Sequence, residues 1–353
     1  MEIPNNFYFC GEYYDTDVWI YDTAKRTLAY GKSPVQSDEL YQANGVVYLE
    51  ANLKINHLRI LMAIISHLQD AFRQRVARPG KSSRIPVQPV PEVLEIQMAD
   101  FHLGPSNGMR LRSCLEELRH TRITFPTESV YLLNTFPGLI EEYDFPAYGK
   151  TVRIRLPEQL VHRLLLTEGG FCHYSHAGAL SLSNKYTVRL YWLICSWRNR
   201  GGFVLPVDTL RKMLQLGRAY DKFGNIVSRV LAPAQATLQA HFPIWFLYRV
   251  YEHEGRRLLA FKIKVRLDTR EQERLRREAW DTCFHLLGQA GISLLILEDI
   301  FSRIDAEDLK PFVTKLADVL LYIRQHRDIH DPARYLRTAL QSWLDDWYVR
   351  YSD

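Results

Sequence analysis

Residues 185–266 constrain the fold most strongly, because their apolar period switches in a fixed order. Lys185–Arg198 carries Leu190, Tyr191, Leu193, Ile194 and Trp197 at helical spacing and stops at Gly201-Gly202. Phe203-Val204-Leu205 has room only for a short strand. Pro206 suits the first turn of a helix that runs to about Leu216. A loop holding Arg218, Tyr220 and Lys222 leads to a third predicted helix, Asn225–Ala240. Its inner face is Val227, Val230, Leu231, Ala234 and Leu238. Asn225, Ser228, Arg229, Ala232, Ala236 and Gln239 face outward, and Pro233 is expected to kink it. Trp245–Tyr251 and Arg256–Arg266 then read as a hairpin turning at His253-Glu254-Gly255. In the return strand Phe261, Ile263 and Val265 alternate with Lys262, Lys264 and Arg266, so period two places three cations on one face.

The same order occurs upstream. Leu58, Leu61, Ile65 and Leu68 mark a helix from Leu53 to about Arg73. A Pro- and Ser-rich stretch from Ala77 to Pro91 follows. Val93–Ile96 reads as a strand, and a brief helix ends near Gly104. Asn107 is a candidate cap for a helix with Leu111, Cys114, Leu115 and Leu118 on one face. Two strands are expected over Ile123–Leu133 and Thr151–Leu156. Two copies of helix, strand, helix, helix, hairpin make an α+β chain with two winged-helix domains in tandem. The expected division is a β-rich extension (1–50, including Val46–Leu49 as a strand), a first winged-helix domain (51–175), a second (176–267) and a helical region (268–353). In that last region Phe312, Val313, Leu316 and Leu320 form one apolar stripe. Tyr335, Leu336, Leu340, Trp343, Leu344 and Trp347 form another.

Charge assigns different work to the two copies. The chain of 353 residues nets only +5, but residues 185–266 hold 15 Lys or Arg against Asp208, Asp221, Glu252 and Glu254. Such one-sidedness reads as an anion-binding module. A helix with small outward side chains can enter a major groove, and flanking cations neutralise phosphates. The candidate DNA contacts are Arg218, Tyr220, Lys222, Asn225, Ser228, Arg229, Arg256, Arg257, Lys262 and Lys264. Arg112, Arg119 and Lys150 are candidates for added phosphate contacts from the first module, which serves otherwise as a dimer surface.

Catalytic signals are weak. Arg26–Ser33 ends like a phosphate-binding loop, but Arg26 stands where its first glycine belongs and Pro34 follows. None of the 12 histidines is paired at a spacing of two, so the metal site of a tyrosine-nucleophile nickase is missing. Cys172, His173 and His176 cluster in an expected interdomain turn without an evident fourth ligand. His326 and His330 lack the glutamate of a zinc protease, and Asp345-Asp346 reads as a solvated helix face. No enzyme activity, metal or cofactor is expected. The five cysteines form no CxxC pair, and the start has neither the basic nor the apolar region of a signal peptide. A reducing cytoplasm and no membrane are the expectation.

Particular residues carry a resemblance. Lys185-Tyr186-Thr187-Val188-Arg189-Leu190-Tyr191, Tyr220, Arg229-Val230-Leu231-Ala232-Pro233-Ala234 and the wing Glu254-Gly255-Arg256-Arg257 are similar to motifs of the plasmid replication initiator (Rep) proteins. The likeness is sharpest over about 183–266 and weaker over 53–160. It departs at Ile226-Val227-Ser228, where the family has a basic run, and at Thr237-Leu238-Gln239. The resemblance implies binding of repeated origin sites (iterons), opening of the duplex and recruitment of host helicase and initiator proteins. It also implies a homodimer that represses its own gene. A transcriptional regulator without a replication role and a helicase-loading adaptor are the alternatives.

Overall fold

The computed structural model describes residues 19–22, 27–30, 39–76, 84–86, 93–103, 107–126, 133–145, 150–165, 171–198, 201–254, 257–326 and 328–351. Two compact units separate. One takes in residues 1–196, 204–242 and 248–262; the other takes in 197–203, 243–247 and 263–353.

In the first unit, β1 (Trp19–Asp22) and β2 (Thr27–Tyr30) pair antiparallel. Strand β3 (Glu39–Ala43) precedes the helical turn α1 (Asn44–Val47) and the long helix α2 (Ile55–Val76). Val46 and Val47 therefore lie in a helical turn, not in the expected strand; both are fully buried there. The sequence pattern of α2 suggested a single apolar stripe. In fact Ile60, Met62, Ala63 and Ile64 are as buried as Leu58, Leu61, Ile65 and Leu68, so its middle is enclosed on every side.

Strand β4 (Arg84–Pro86) adds to β2. Next come β5 (Val93–Gln97), a 3-10 turn at Met98–Phe101 in place of the expected brief helix, and α3 (Asn107–Arg119). Leu111, Leu115 and Leu118 of α3 are fully buried, with Cys114 close behind. The hairpin expected from two long strands is broken into shorter pieces: β6 (Ile123–Thr124), β7 (Thr135–Phe136), β8 (Glu142–Asp144) and β9 (Thr151–Arg155). The sheet order is β5-β9-β8, with β6 paired to β7. Prolines 126, 137 and 146 interrupt this stretch of sequence and cannot donate to a ladder.

Helix α4 (Glu158–Leu165) and strand β10 (Phe171–Ser175) follow, β10 pairing with β3. The expected interdomain turn around Cys172 is therefore a strand. Ser175 caps α5 (His176–Ser181), accepting from the Gly178 N–H at 3.0 Å. In α6 (Lys185–Ser196) every side chain from Thr187 to Cys195 is buried.

Strands β11 (Gly202–Pro206), β12 (Ile244–Glu254) and β13 (Arg257–Leu267) form a sheet in the order β11-β13-β12. Phe261, Ile263 and Val265 are buried, while Lys264 is exposed and Lys262 and Arg266 are half-buried, as the alternation requires. A Cβ on Gly202 would lie 2.4 Å from the Ile263 carbonyl oxygen, so only glycine lets β11 approach β13 there. Between these strands lie α7 (Val207–Leu214), α8 (Phe223–Ile226), a π turn (Val227–Leu231) and α9 (Ala232–His241).

The second unit is led by α10 (Thr269–Ala290), whose cap Asp268 accepts from the Glu271 N–H at 2.8 Å. Helices α11 (Glu298–Ser302), α12 (Leu309–Gln325) and α13 (Pro332–Tyr351) complete it. Cys283, Leu287, Phe312, Leu316, Leu336 and Leu340 make its core, with Val313, Leu320 and Trp343 packed around them. Tyr335 departs from its expected stripe: it is exposed and stacks on Tyr322 at 5.8 Å. Among the described residues no helix is long and apolar enough to cross a membrane.

Candidate nucleic-acid interface

Helices α8 and α9, joined by the π turn, carry the predicted outward face. Ile226, Val230, Leu231, Ala234 and Leu238 point into the core. Val227, expected among them, is half-buried, because the π turn rotates the first part of the segment against the second. Ser228, Arg229, Ala236 and Gln239 are exposed, while Asn225 and Ala232 are half-buried. No acidic side chain occurs between residues 223 and 241. The expected kink at Pro233 is met by the π turn: the Ala232 N–H bonds back to the Val227 carbonyl, five residues away, and Pro233 occupies the first turn of α9.

The loop ahead of this segment is braced from three directions. Arg211 on α7 donates to the Tyr220 carbonyl at 2.7 Å and to the Asp221 carboxylate at 3.0 Å. The Asn225 side chain donates to the Ala219 carbonyl at 2.7 Å. Asn225 thus has part of its hydrogen-bonding capacity spent inside the protein. The Tyr220 ring meets Tyr186 edge-on at 5.9 Å. Burial and the hydrogen bond with Tyr220 push the Tyr186 hydroxyl up to about 12, so it keeps its proton at any working pH. Lys185 lies 5.1 Å from the Tyr186 ring, its pKa lowered by burial and by Arg189. With the loop so held, Arg218 and Lys222 stand exposed beside the helix.

On the hairpin, Lys262 and Lys264 occupy alternate positions of β13, and Arg249, exposed on β12, adds a further cation. Arg256 lies outside the described residues, and Arg257 opens β13. Arg211 and Arg249 were not singled out in the sequence, and Tyr186 entered only as part of the motif that carries the resemblance. Arg249 was legible, as the exposed position of an alternating strand. Arg211 was not, because its partner stands ten residues away across a turn.

The first module offers a different surface. Helix α3 carries Glu116 and Glu117 alongside its cations. The Arg112 guanidinium lies 4.1 Å from the Phe145 ring centroid. Arg119 donates to the Glu141 carbonyl at 3.1 Å and pairs with Glu116 at 3.3 Å. Tyr143 donates to Glu116 at 3.0 Å, which with His120 and Arg119 holds that carboxyl below its usual range. Lys150 is exposed. Beside this helix a cleft of about 870 Å³ is lined by Lys54, His57, Glu116, Glu117, His120 and Arg122, among others.

The Cys172, His173 and His176 cluster does not converge. Strand alternation turns Cys172 and His173 to opposite faces. Burial drives the Cys172 thiol well above its usual range, and His173 stacks on Tyr41 at 5.6 Å. Among the described residues no group of three His, Cys, Asp or Glu is placed to hold a metal ion. Arg26–Ser33 lies partly outside the described residues, and its Thr27–Tyr30 portion is strand β2. His326 stacks on Tyr322 at 3.9 Å, and Asp345 and Asp346 are exposed on α13.

Two family models match the chain: the WH1 domain of initiator replication proteins over residues 39–195, and the WH2 domain of initiator Rep proteins over residues 206–265. The chain belongs to the initiator Rep protein family. That family comprises winged-helix replication initiators and not enzymes, and α8, the π turn and α9 lie within the WH2 domain of this Rep protein. The chain is similar, at a TM-score of 0.48 and 17% identity, to a solved chain described as "Crystal structure of Pi initiator protein in complex with iteron DNA". The alignment covers 67% of this Rep protein and 100% of that chain. No curated protein matches the sequence.

Proposed function

We propose that this Rep protein initiates plasmid replication by binding directly repeated origin sites in double-stranded DNA, with α8, the π turn and α9 of its second winged-helix domain in the major groove. The observation that carries the reading is the acid-free outward face Ser228, Arg229, Ala236 and Gln239, presented beside a braced loop that holds Arg218 and Lys222 exposed. Small side chains admit the backbone to the groove, Arg229 and Gln239 reach base edges, and Arg218, Tyr220, Lys222, Arg256, Arg257, Lys262 and Lys264 meet phosphates. Asn225 and Ser228 complete the reading face. In the first domain Arg112, Arg119 and Lys150 add phosphate contacts weakened by their neighbouring acids. Opening of the duplex draws on contact energy to offset bending and unpairing.

The reading extends to a cytoplasmic protein, to a homodimer that represses its own gene, and to recruitment of the host replicative helicase and initiator. A salt-titrated binding assay tests its core. The protein is offered a duplex with the direct repeats that flank its gene and a shuffled duplex. A preference of about a thousandfold with a steep salt slope supports the reading. Equal, weak binding to both overturns it. Loss of plasmid maintenance on deletion separates an initiator from a regulator alone.

A further inference from the structure

The π turn changes which main-chain groups of the second winged-helix domain are available to DNA. In an α-helix each carbonyl accepts from the N–H four residues ahead, and in a π turn from the N–H five residues ahead. The Ser228 carbonyl has two such donors by position, Ala232 and residue 233. The Ala232 N–H is bonded to the Val227 carbonyl. Residue 233 is proline and has no N–H to give. Both helical donors are thus withdrawn from one carbonyl, and it belongs to an exposed residue directly before the exposed Arg229. A main-chain acceptor that lacks its helical donors is open to a donor from outside the helix, water or a ligand.

In the major groove the complementary donors are exocyclic amines, N6 of adenine and N4 of cytosine. Guanine and thymine present acceptors at the corresponding places, which a carbonyl repels. Arg229 supplies only donors, so it cannot recognise an amine. The next position along the helix requires an acceptor if amine-bearing bases are to be read.

We propose that the Ser228 carbonyl, opened by the π turn and kept open by Pro233, is a base-reading acceptor that selects an exocyclic amine in the major groove. Pro233 is then a positioning residue for specificity. The inference rests on the proposal that this helix enters the groove, and its test separates the two.

The full-length protein first selects its preferred duplex from a randomised pool. Failure to enrich any sequence would overturn the groove reading itself, and this inference with it. On the enriched duplex, adenines are replaced one at a time by purine, and cytosines by 2-pyrimidinone, which deletes the amine alone. Wild type should lose about fivefold in affinity at one position, the size of a neutral hydrogen bond. Whether purine or 2-pyrimidinone produces the loss identifies adenine or cytosine as the base read. Pro233→Ala restores an N–H to the helix and fits a first-turn position, so it should melt no lower than wild type. Its penalty at that position should vanish, while a base change read by Arg229 still costs the same. Ser228→Ala keeps the carbonyl and removes the hydroxyl, and should retain the penalty. The proposal is overturned if no single amine matters to wild type, if Pro233→Ala keeps the full penalty, or if Ser228→Ala abolishes it.

Discussion

Arg189 on α6 donates to the Leu49 carbonyl at 2.6 Å, across 140 residues of sequence. The same nitrogen donates to the Val47 carbonyl at 3.0 Å. Full burial pulls the guanidinium down to about 10, still charged at neutral pH. The arginine of the motif that carries the family resemblance therefore works as an internal clamp. It supplies donors to the end of α1 that no N–H there provides.

Its removal should cost stability and leave DNA recognition intact. Arg189→Met strands two buried carbonyls, for an expected loss of about 2–4 kcal/mol in denaturant unfolding. Below the shifted melting range, the ratio of affinities for repeat and shuffled duplexes should be unchanged. A changed ratio would put Arg189 in the recognition machinery.

Helix and hairpin cations should separate by the kind of loss they produce. Arg229→Ala should lower discrimination between sites by about 1–3 kcal/mol, the value of a direct base contact. Lys262→Ala should weaken every duplex alike and reduce the salt slope by about one unit. Identical behaviour of the two would show that the division between base-reading helix and phosphate-binding wing is wrong.

The brace beneath the loop gives a third signature. Arg211→Ala frees the Tyr220 carbonyl and the Asp221 carboxylate without touching the exposed face. Specific binding should weaken by about 1–2 kcal/mol. Hydrogen exchange of the amides of residues 218–222 should rise while that of α9 stays slow. Unchanged exchange in the loop would mean that Tyr186 and Asn225 hold it alone.

At His57 burial lowers the pKa below 6.5, against the opposing pull of Glu117; Lys54 and Lys185 lower it further. Its Nδ1 accepts from the Lys54 N–H at 3.3 Å, which leaves Nε2 to carry the proton toward Glu117 at 3.0 Å. The unfolded chain binds a proton near pH 6.5 that the folded one refuses. Stability is thus full above that pH and is lost as pH falls through the lower folded value. Melting temperature should decline as pH falls below about 6.5. His57→Gln keeps both an acceptor and a donor and should flatten that decline. The Glu117 carboxyl, held low first by Lys54, stays charged across the window and contributes its own loss only below about 4.5.

The second winged-helix domain was more legible in the sequence than the first, for a physical reason. Phe261, Ile263 and Val265 alternate over a strand long enough to display period two, and Gly201-Gly202 and Pro206 punctuate the elements around them. In the first domain the expected strand over Ile123–Leu133 shrinks to pieces of two residues, as at Ile123–Thr124, with Thr135–Phe136 opposite it, too short for any period. Val46 and Val47 have strand-forming side chains, but burial of the Asn44–Val47 turn overrides propensity. At the candidate site, the exposed face of the helix followed from spacing. The π turn did not, because proline announces a missing N–H without saying whether a kink or a wider turn absorbs it.

Glu271 ties the start of α10 to the segment after α6, through two cations at once. Its carboxylate pairs with Arg198 and accepts from Arg274 at 2.6 and 3.0 Å. The Arg198 and Glu271 side chains are about nine-tenths buried, at 10% and 11% exposure, so water screens their pair little. Glu271→Ala leaves Arg198 buried without its counter-charge and should cost about 3–5 kcal/mol, measured by denaturant unfolding. Truncation at Asp268 removes the same carboxylate. A truncated protein that loses replication could therefore have lost stability and not a docking surface. Glu271→Ala in the full-length chain decides between them. If it destabilises the protein but still supports replication at low temperature, the helical region acts through more than this ion pair. If it reproduces the truncation at every temperature, the pair accounts for the loss.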